Sequence, residues 1–168
     1  ARWLVTAHQE EIEFLDAFYE HVHSDSSLGE LDAPQVDRLF SAVLLYSGTD
    51  HHSPTLHIAT ARHMLTSDRS LQLPGTSGLL AHAIDEGVAS LSRNLSADVE
   101  LSRLNSLREC RSAFCLPLRA GLDAYGILLF AHPLVDFFTP DRREVLEIVS
   151  KQSVIAIQNA RLYQDLEQ

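Results

Sequence analysis

Nine of the 168 residues are histidine, which raises the question of metal. The densest groups are His21-Val22-His23 and Asp50-His51-His52. A structural zinc site wants four well-placed donors, commonly with cysteine among them. The nearest cysteine to either group is Cys110, and no Cys-x-x-Cys occurs. Both clusters therefore read as solvated residues, one at a helix end and one at a turn tip, and no metal site is expected. His57 and His63 have an even spacing, which on a strand sets both on one side. A pair facing inward would line a pocket; a pair facing outward would only meet water, and the second reading is favoured.

Cys110 and Cys115 are the two cysteines. On one extended strand they would lie about 16 Å apart on opposite faces, too far to bridge. Cys115, inside the apolar run Ala113–Leu118, reads as an inert core thiol. Cys110, between Glu109 and Arg111, reads as the accessible and redox-responsive one. Serine, histidine and acids are plentiful, yet none stands in a recognisable catalytic arrangement. The chain has no G-x-S-x-G, no glycine-rich phosphate loop and no H-E-x-x-H. No enzymatic activity is expected, and no residue set selects a cofactor.

The bulk composition narrows the setting of this chemistry. Apolar residues make up 45% and charged residues 21%, an ordinary globular balance in a chain of about one domain. A net charge of −10 argues against nucleic acid, which needs a basic footprint. No apolar stretch approaches the roughly 18 residues of a membrane span. Two cysteines make no disulfide framework, so a cytoplasmic location is expected. The opening Ala1-Arg2-Trp3 and the unfinished helical pattern at Leu166-Glu167-Gln168 read as cuts through a longer, multidomain protein.

Positioning falls to a small set of elements. Val5, His8, Ile12, Leu15, Tyr19 and Val22 recur in steps of three and four, which predicts an amphipathic helix ending near His23. Two apolar runs, 39–46 and 55–64, predict a hairpin turning at Ser47-Gly48-Thr49-Asp50. Residues 71–73 and 88–91 are weakly strand-like. Between them Gly75-Thr76-Ser77-Gly78 enters a helix capped by Gly87, and the stretch 94–107 reads as short helix and loop. Ala113–Leu118 and Tyr125–Phe130 predict a second hairpin, and Thr139-Pro140-Asp141 opens a long helix. Its apolar face is too broad for a sheet alone: Ile157, Leu162 and Leu166 are assigned to a further helix, as are Ile12, Leu15, Tyr19 and Val22 at the other end. The pattern calls for an antiparallel sheet of five or six strands, with the N- and C-terminal helices on one face.

The segments CLPL, YGILLF, FFTPDRREVL and AIQNARLY, in this order and spacing over residues 36–163, closely resemble a GAF domain. The stretch GTSGLLAHAIDEG is similar to the family's segment between third strand and helix. That resemblance implies an α+β fold and a sensory or regulatory task. It divides the chain into a helix and connector (1–35), the GAF-like domain (36–163) and the start of a linker (164–168) to an output domain. It also implies a homodimer through the terminal helices and a small-molecule ligand between the sheet and the 75–110 excursion. Arg93, Asn94 and Arg103 are the candidate ligand contacts, because an acidic or amide-bearing metabolite needs donors in an otherwise acidic protein. A ligand-free dimerisation scaffold is the alternative.

Overall fold

In a computed structural model, residues 38–47 and 55–166 are described, with side chains through Asn159. The expected helix at 5–22, the turn at 48–50 and the pair His51-His52 lie outside the described residues. Six strands form one sheet: β1 (Phe40–Ser47), β2 (Thr55–Arg62), β3 (Gln72–Leu73), β4 (Ser90–Ser92), β5 (Ser112–Ala120) and β6 (Asp123–His132). Their spatial order is β3-β2-β1-β6-β5-β4, and each neighbouring pair runs antiparallel. Among the described residues two α-helices accompany the sheet, α1 (Gly78–Glu86) and α2 (Pro140–Leu166).

Alternation along β5 divides its side chains between two cores. Phe114, Leu116 and Leu118 join a cluster with Leu146, Val149, Val154 and Ile157 of α2. Ala113 and Cys115 point the other way, into a cluster with Leu79, Leu80 and Ala83 of α1. Helices thus cover both faces, α2 the one assigned to the terminal helices and α1 the one assigned to the excursion. The unbroken apolar run of β6 carries the reason. Ile127 and Leu129 need cover as much as Leu128 and Phe130 do, and α1 with the excursion supplies it.

Two bulges adjust the register. Leu118 pairs with Gly126 and Arg119 with Ala124, which leaves Tyr125 as the extra residue in β6 and turns it toward the α2 core. In β2, Thr60 pairs with Val43 and Ile58 with Leu44, so Ala59 is extra. That second bulge breaks the period-2 argument for His57 and His63. β2 also ends at Arg62, and His63 is exposed at φ 63°, so the two histidines do not form a pair on one face.

α2 starts where Thr139 and Pro140 place it. The Arg142 amide donates to Thr139 Oγ1 at 3.4 Å, Pro140 needs no amide partner in the first turn, and Asp141 meets the positive end of the helix dipole. Its sheet side includes Ile157, which is buried, so this residue does not belong to the surplus apolar surface assigned above. Ile148 and Ile155, 51% and 59% exposed, carry that surplus instead.

Candidate functional site

The excursion between β3 and β5 lies over the α1-side core. Its leucines, Leu95, Leu101, Leu104 and Leu107, are all buried there beside Leu56, Leu73 and Leu80. Short 3-10 turns at Leu95–Ala97, Leu101–Arg103 and Asn105–Leu107 bring them inward at three- to six-residue intervals. A chain path this irregular leaves amides without helix or sheet partners, and buried amides must find acceptors.

Three buried carboxylates provide them. Asp98 Oδ2 accepts from the Leu79 amide at 2.8 Å, which caps the start of α1 from across the fold. Its Oδ1 accepts from the amides of Glu100 at 3.1 Å and Leu101 at 2.9 Å. Glu100 accepts from the Gly75 amide, and from the Ser77 amide at 3.3 Å, tying down the loop ahead of α1. Asp68 accepts from both the amide and the hydroxyl of Ser106, and that hydroxyl in turn accepts from the Leu65 amide at 2.8 Å. Sequence patterning marks Arg93, Asn94 and Arg103 in this part of the chain and misses these acids. For Asp98 the signal was Gly78: a Cβ there would stand 2.4 Å from Asp98 Oδ2, so the glycine makes room for the carboxylate.

The three sequence-derived contacts sit on the outside of the same excursion. Arg93 and Asn94 follow β4, Arg103 closes the second 3-10 turn, and all three are exposed. Arg93 Nε is 3.8 Å from Asp136 Oδ1, an exposed ion pair of small energetic weight. Asn94 Oδ1 accepts from Ser96 Oγ at 3.0 Å. At the α1 end, His82 Nδ1 meets Ser90 Oγ at 2.7 Å, and Ser90 Oγ donates to the Val88 carbonyl. Among the described residues, no group of three His, Cys, Asp or Glu side chains is placed to hold a metal.

A third assembly joins the sheet to α2. The buried His132 ring stacks on Phe137 with centroids 3.8 Å apart, and the Arg142 guanidinium lies 4.9 Å from the centre of the Phe137 ring. His132 Nδ1 accepts from the Leu134 amide at 3.0 Å, so Nε2 carries the proton in the neutral ring. Arg142 also donates to the Phe137 carbonyl. These contacts fix the chain direction between the last strand and α2.

Both thiols are held protonated. Burial, and secondarily Asp98, raises Cys115 well above the ordinary thiol value. Cys110 is half-buried among the apolar residues of the α1 side, and burial, with Glu109 next, pushes it up to about 11. The expected accessible, redox-responsive thiol is therefore a poor nucleophile here, because the thiolate is the reactive form. Alkylation of Cys110 by iodoacetamide at pH 7.5 should run about 100-fold slower than for an unperturbed thiol, as its thiolate fraction is lower by that factor. A rate near that of free cysteine would show the thiol to be open to solvent. Above pH 9 the unfolded thiol ionises while the folded one keeps its proton, so this contribution is present below 9.0 and is lost as pH rises toward 11.

No protein-family model matches the chain. Over 126 residues it is 31% identical to a sensor-like histidine kinase of Chloroflexus aurantiacus, a match covering 75% of this chain and 20% of that protein. The chain thus matches only about a fifth of that relative. Solved structures similar to it include the GAF domain/HD domain protein from Geobacter sulfurreducens (TM-score 0.65, 14% identity, 95% of this chain and 98% of that one). Another is the GAF domain of a two-component sensor histidine kinase from Bacillus halodurans (TM-score 0.62, 18% identity, 89% and 97% covered). The free methionine-R-sulfoxide reductase from Neisseria meningitidis has the same arrangement (TM-score 0.62, 18% identity, 94% and 93% covered). At such identities the likeness speaks for fold, and it agrees with the six-stranded antiparallel sheet and its long closing helix. The chain has the fold of a GAF domain.

Proposed function

We propose that this chain is a sensory and regulatory module of a larger cytoplasmic signalling protein, and that it passes a signal through α2 to an output domain. The observation that carries this reading is the double use of α2. One side is built into the core of the sheet, and the other leaves Ile148 and Ile155 in solvent. Such a helix moves with its own sheet and still has a face with which to meet a partner. The likeness to a sensor-like histidine kinase supports the setting. Division of the chain at 35 and 163 and self-association through the terminal helices belong to the same proposal.

The ligand is a small acidic or amide-bearing metabolite held at the excursion, with Arg93, Asn94 and Arg103 as its polar contacts. Their exposure on the segment that covers the α1 side supports this placement. The module acts without catalysis. Some proteins of this fold are reductases, but both thiols here are kept protonated by burial, which supports a binding role.

One observation favours the second reading, a ligand-free dimerisation scaffold. The layer between sheet and excursion is packed with leucine and alanine, and the acids at its edge are already engaged by backbone amides. A metabolite screen by thermal shift separates the two. The sensor reading predicts a stabiliser whose effect disappears in Arg93→Ala or Arg103→Ala. A stabiliser indifferent to both changes refutes the placement, and a clean negative screen favours the scaffold.

A further inference from the structure

The chain carries a net charge of −10, yet the end of the sheet where β5 begins is lined with arginine. Phe40 pairs with Ala131 and Ser112 with His132, so the start of β1, the end of β6 and the start of β5 lie side by side there. Ser41 pairs with Arg62, which brings the loop after β2 to the same end. Arg38 stands ahead of β1, near enough to Cys110 for its charge to act on that thiol. Arg111 stands ahead of β5, its amide donating to the His132 carbonyl at 2.9 Å. Arg108 follows the last 3-10 turn, and the grip of Asp68 on Ser106 draws Arg69 to the same loop. All four arginines are exposed, and none pairs with a carboxylate among the described residues. Leu65, 52% exposed, is held beside them by the bond from its amide to Ser106 Oγ. Of the nearby acids, Asp68 is engaged by Ser106 and Asp136 by Arg93, which leaves Glu109 among the arginines.

The chemistry of the patch says which partner fits. Four arginines on three loops are more than one small anion would engage. Their guanidinium forks match carboxylates two oxygens at a time, and arginine around an exposed apolar residue is a composition enriched in protein interfaces. A membrane or a nucleic acid spreads its negative charge far wider than this patch. Such a surface would bring the acids of the rest of the chain within the screening length of about 8 Å, at a cost in repulsion. A single extended segment meets the arginines alone. We infer that this end of the sheet docks a short acidic segment of a protein partner. Arg38, Arg69, Arg108 and Arg111 pair with its carboxylates, and Leu65 takes an apolar residue between them. None of these five residues is assigned to the metabolite or to self-association, so the docking surface stands or falls apart from the function proposed above.

Fluorescence anisotropy of a labelled oligoglutamate peptide with one central leucine, titrated with the 168-residue chain, tests the docking surface. At about 50 mM salt the parent should bind with a Kd of tens of micromolar. Arg108→Glu combined with Arg111→Glu should weaken binding at least about 10-fold, with an unchanged circular dichroism spectrum. Arg38→Glu combined with Arg69→Glu, on two other loops, should do the same. Arg119→Glu makes the same change of charge at an exposed site at the far end of β5, and should leave the Kd within about two-fold. A parent that does not bind overturns the proposal. So does a loss in Arg119→Glu equal to that in the double variants, because the attraction would then belong to the whole molecule. Vesicles containing about 30% phosphatidylserine should not retain the chain. Vesicles that bind the parent and release the double variants would make this end a membrane contact, and would overturn the acidic segment as its partner.

Discussion

Replacing Gly126 with alanine should destabilise this protein by about 4 kcal/mol, and with valine by more. Gly126 is in β6, opposite Leu45 of β1. A Cβ there would lie 1.9 Å from the Leu44 carbonyl oxygen and 2.8 Å from Leu45 Cα. Both are main-chain atoms of the neighbouring strand, so no side chain can swing aside to relieve the contact. The β1–β6 ladder would have to part at Leu45–Gly126, next to the bulge that turns Tyr125 into the α2 core. For a chain of this length the expected fall in Tm is about 10 °C. Thermal unfolding by circular dichroism reads it directly; a Tm within about 2 °C of the parent would mean that the strands have room to spare.

Asp98→Ala should be nearly as damaging, but more local. Its carboxylate satisfies three amides, at Leu79, Glu100 and Leu101, and alanine would leave all of them buried without that acceptor. At the usual penalty for unsatisfied buried donors the loss is about 3 kcal/mol or more. The excursion and the first turn of α1 should open first, because the carboxylate ties one to the other. Hydrogen exchange should therefore accelerate about 100-fold over residues 76–108, with β5 and β6 far less affected. Asp98→Asn, which keeps one acceptor oxygen, should fall between the two. Exchange in the excursion unchanged within a factor of two would show that Asp98 is dispensable.

The sheet was legible in the sequence because its evidence is repeated along each strand. The β5–β6 hairpin, the left-handed Gly87 that ends α1 and the Thr139-Pro140 start of α2 all fall where local patterning puts them. Bulges were not legible: Ala59 and Tyr125 are ordinary strand residues, and only pairing with a neighbour shows them to be extra. The same limit explains the lost His57–His63 pair. It explains, too, why Asp98 and Glu100 in the excursion, and Asp68 ahead of β3, escaped notice. An acid in a polar segment reads as solvated, and its amide partners are distant in sequence: Leu79 is 19 residues from Asp98, and Ser106 is 38 from Asp68. Ile157 was assigned to the wrong side of α2 because a broadly apolar helix has no unique core face until the sheet selects one. The placement of Arg93, Asn94 and Arg103 on the excursion follows from sequence alone; a ligand there is a matter for the screen.

Native mass spectrometry of the purified chain tests the account at its centre, because it reads subunit number and retained small molecules in one spectrum. A regulatory module that signals through α2 should appear as two chains per particle at tens of micromolar. The sensor reading adds the mass of a metabolite, lost in Arg93→Ala or Arg103→Ala, and the scaffold reading predicts the bare dimer. A single chain with no added mass under the same conditions would contradict both.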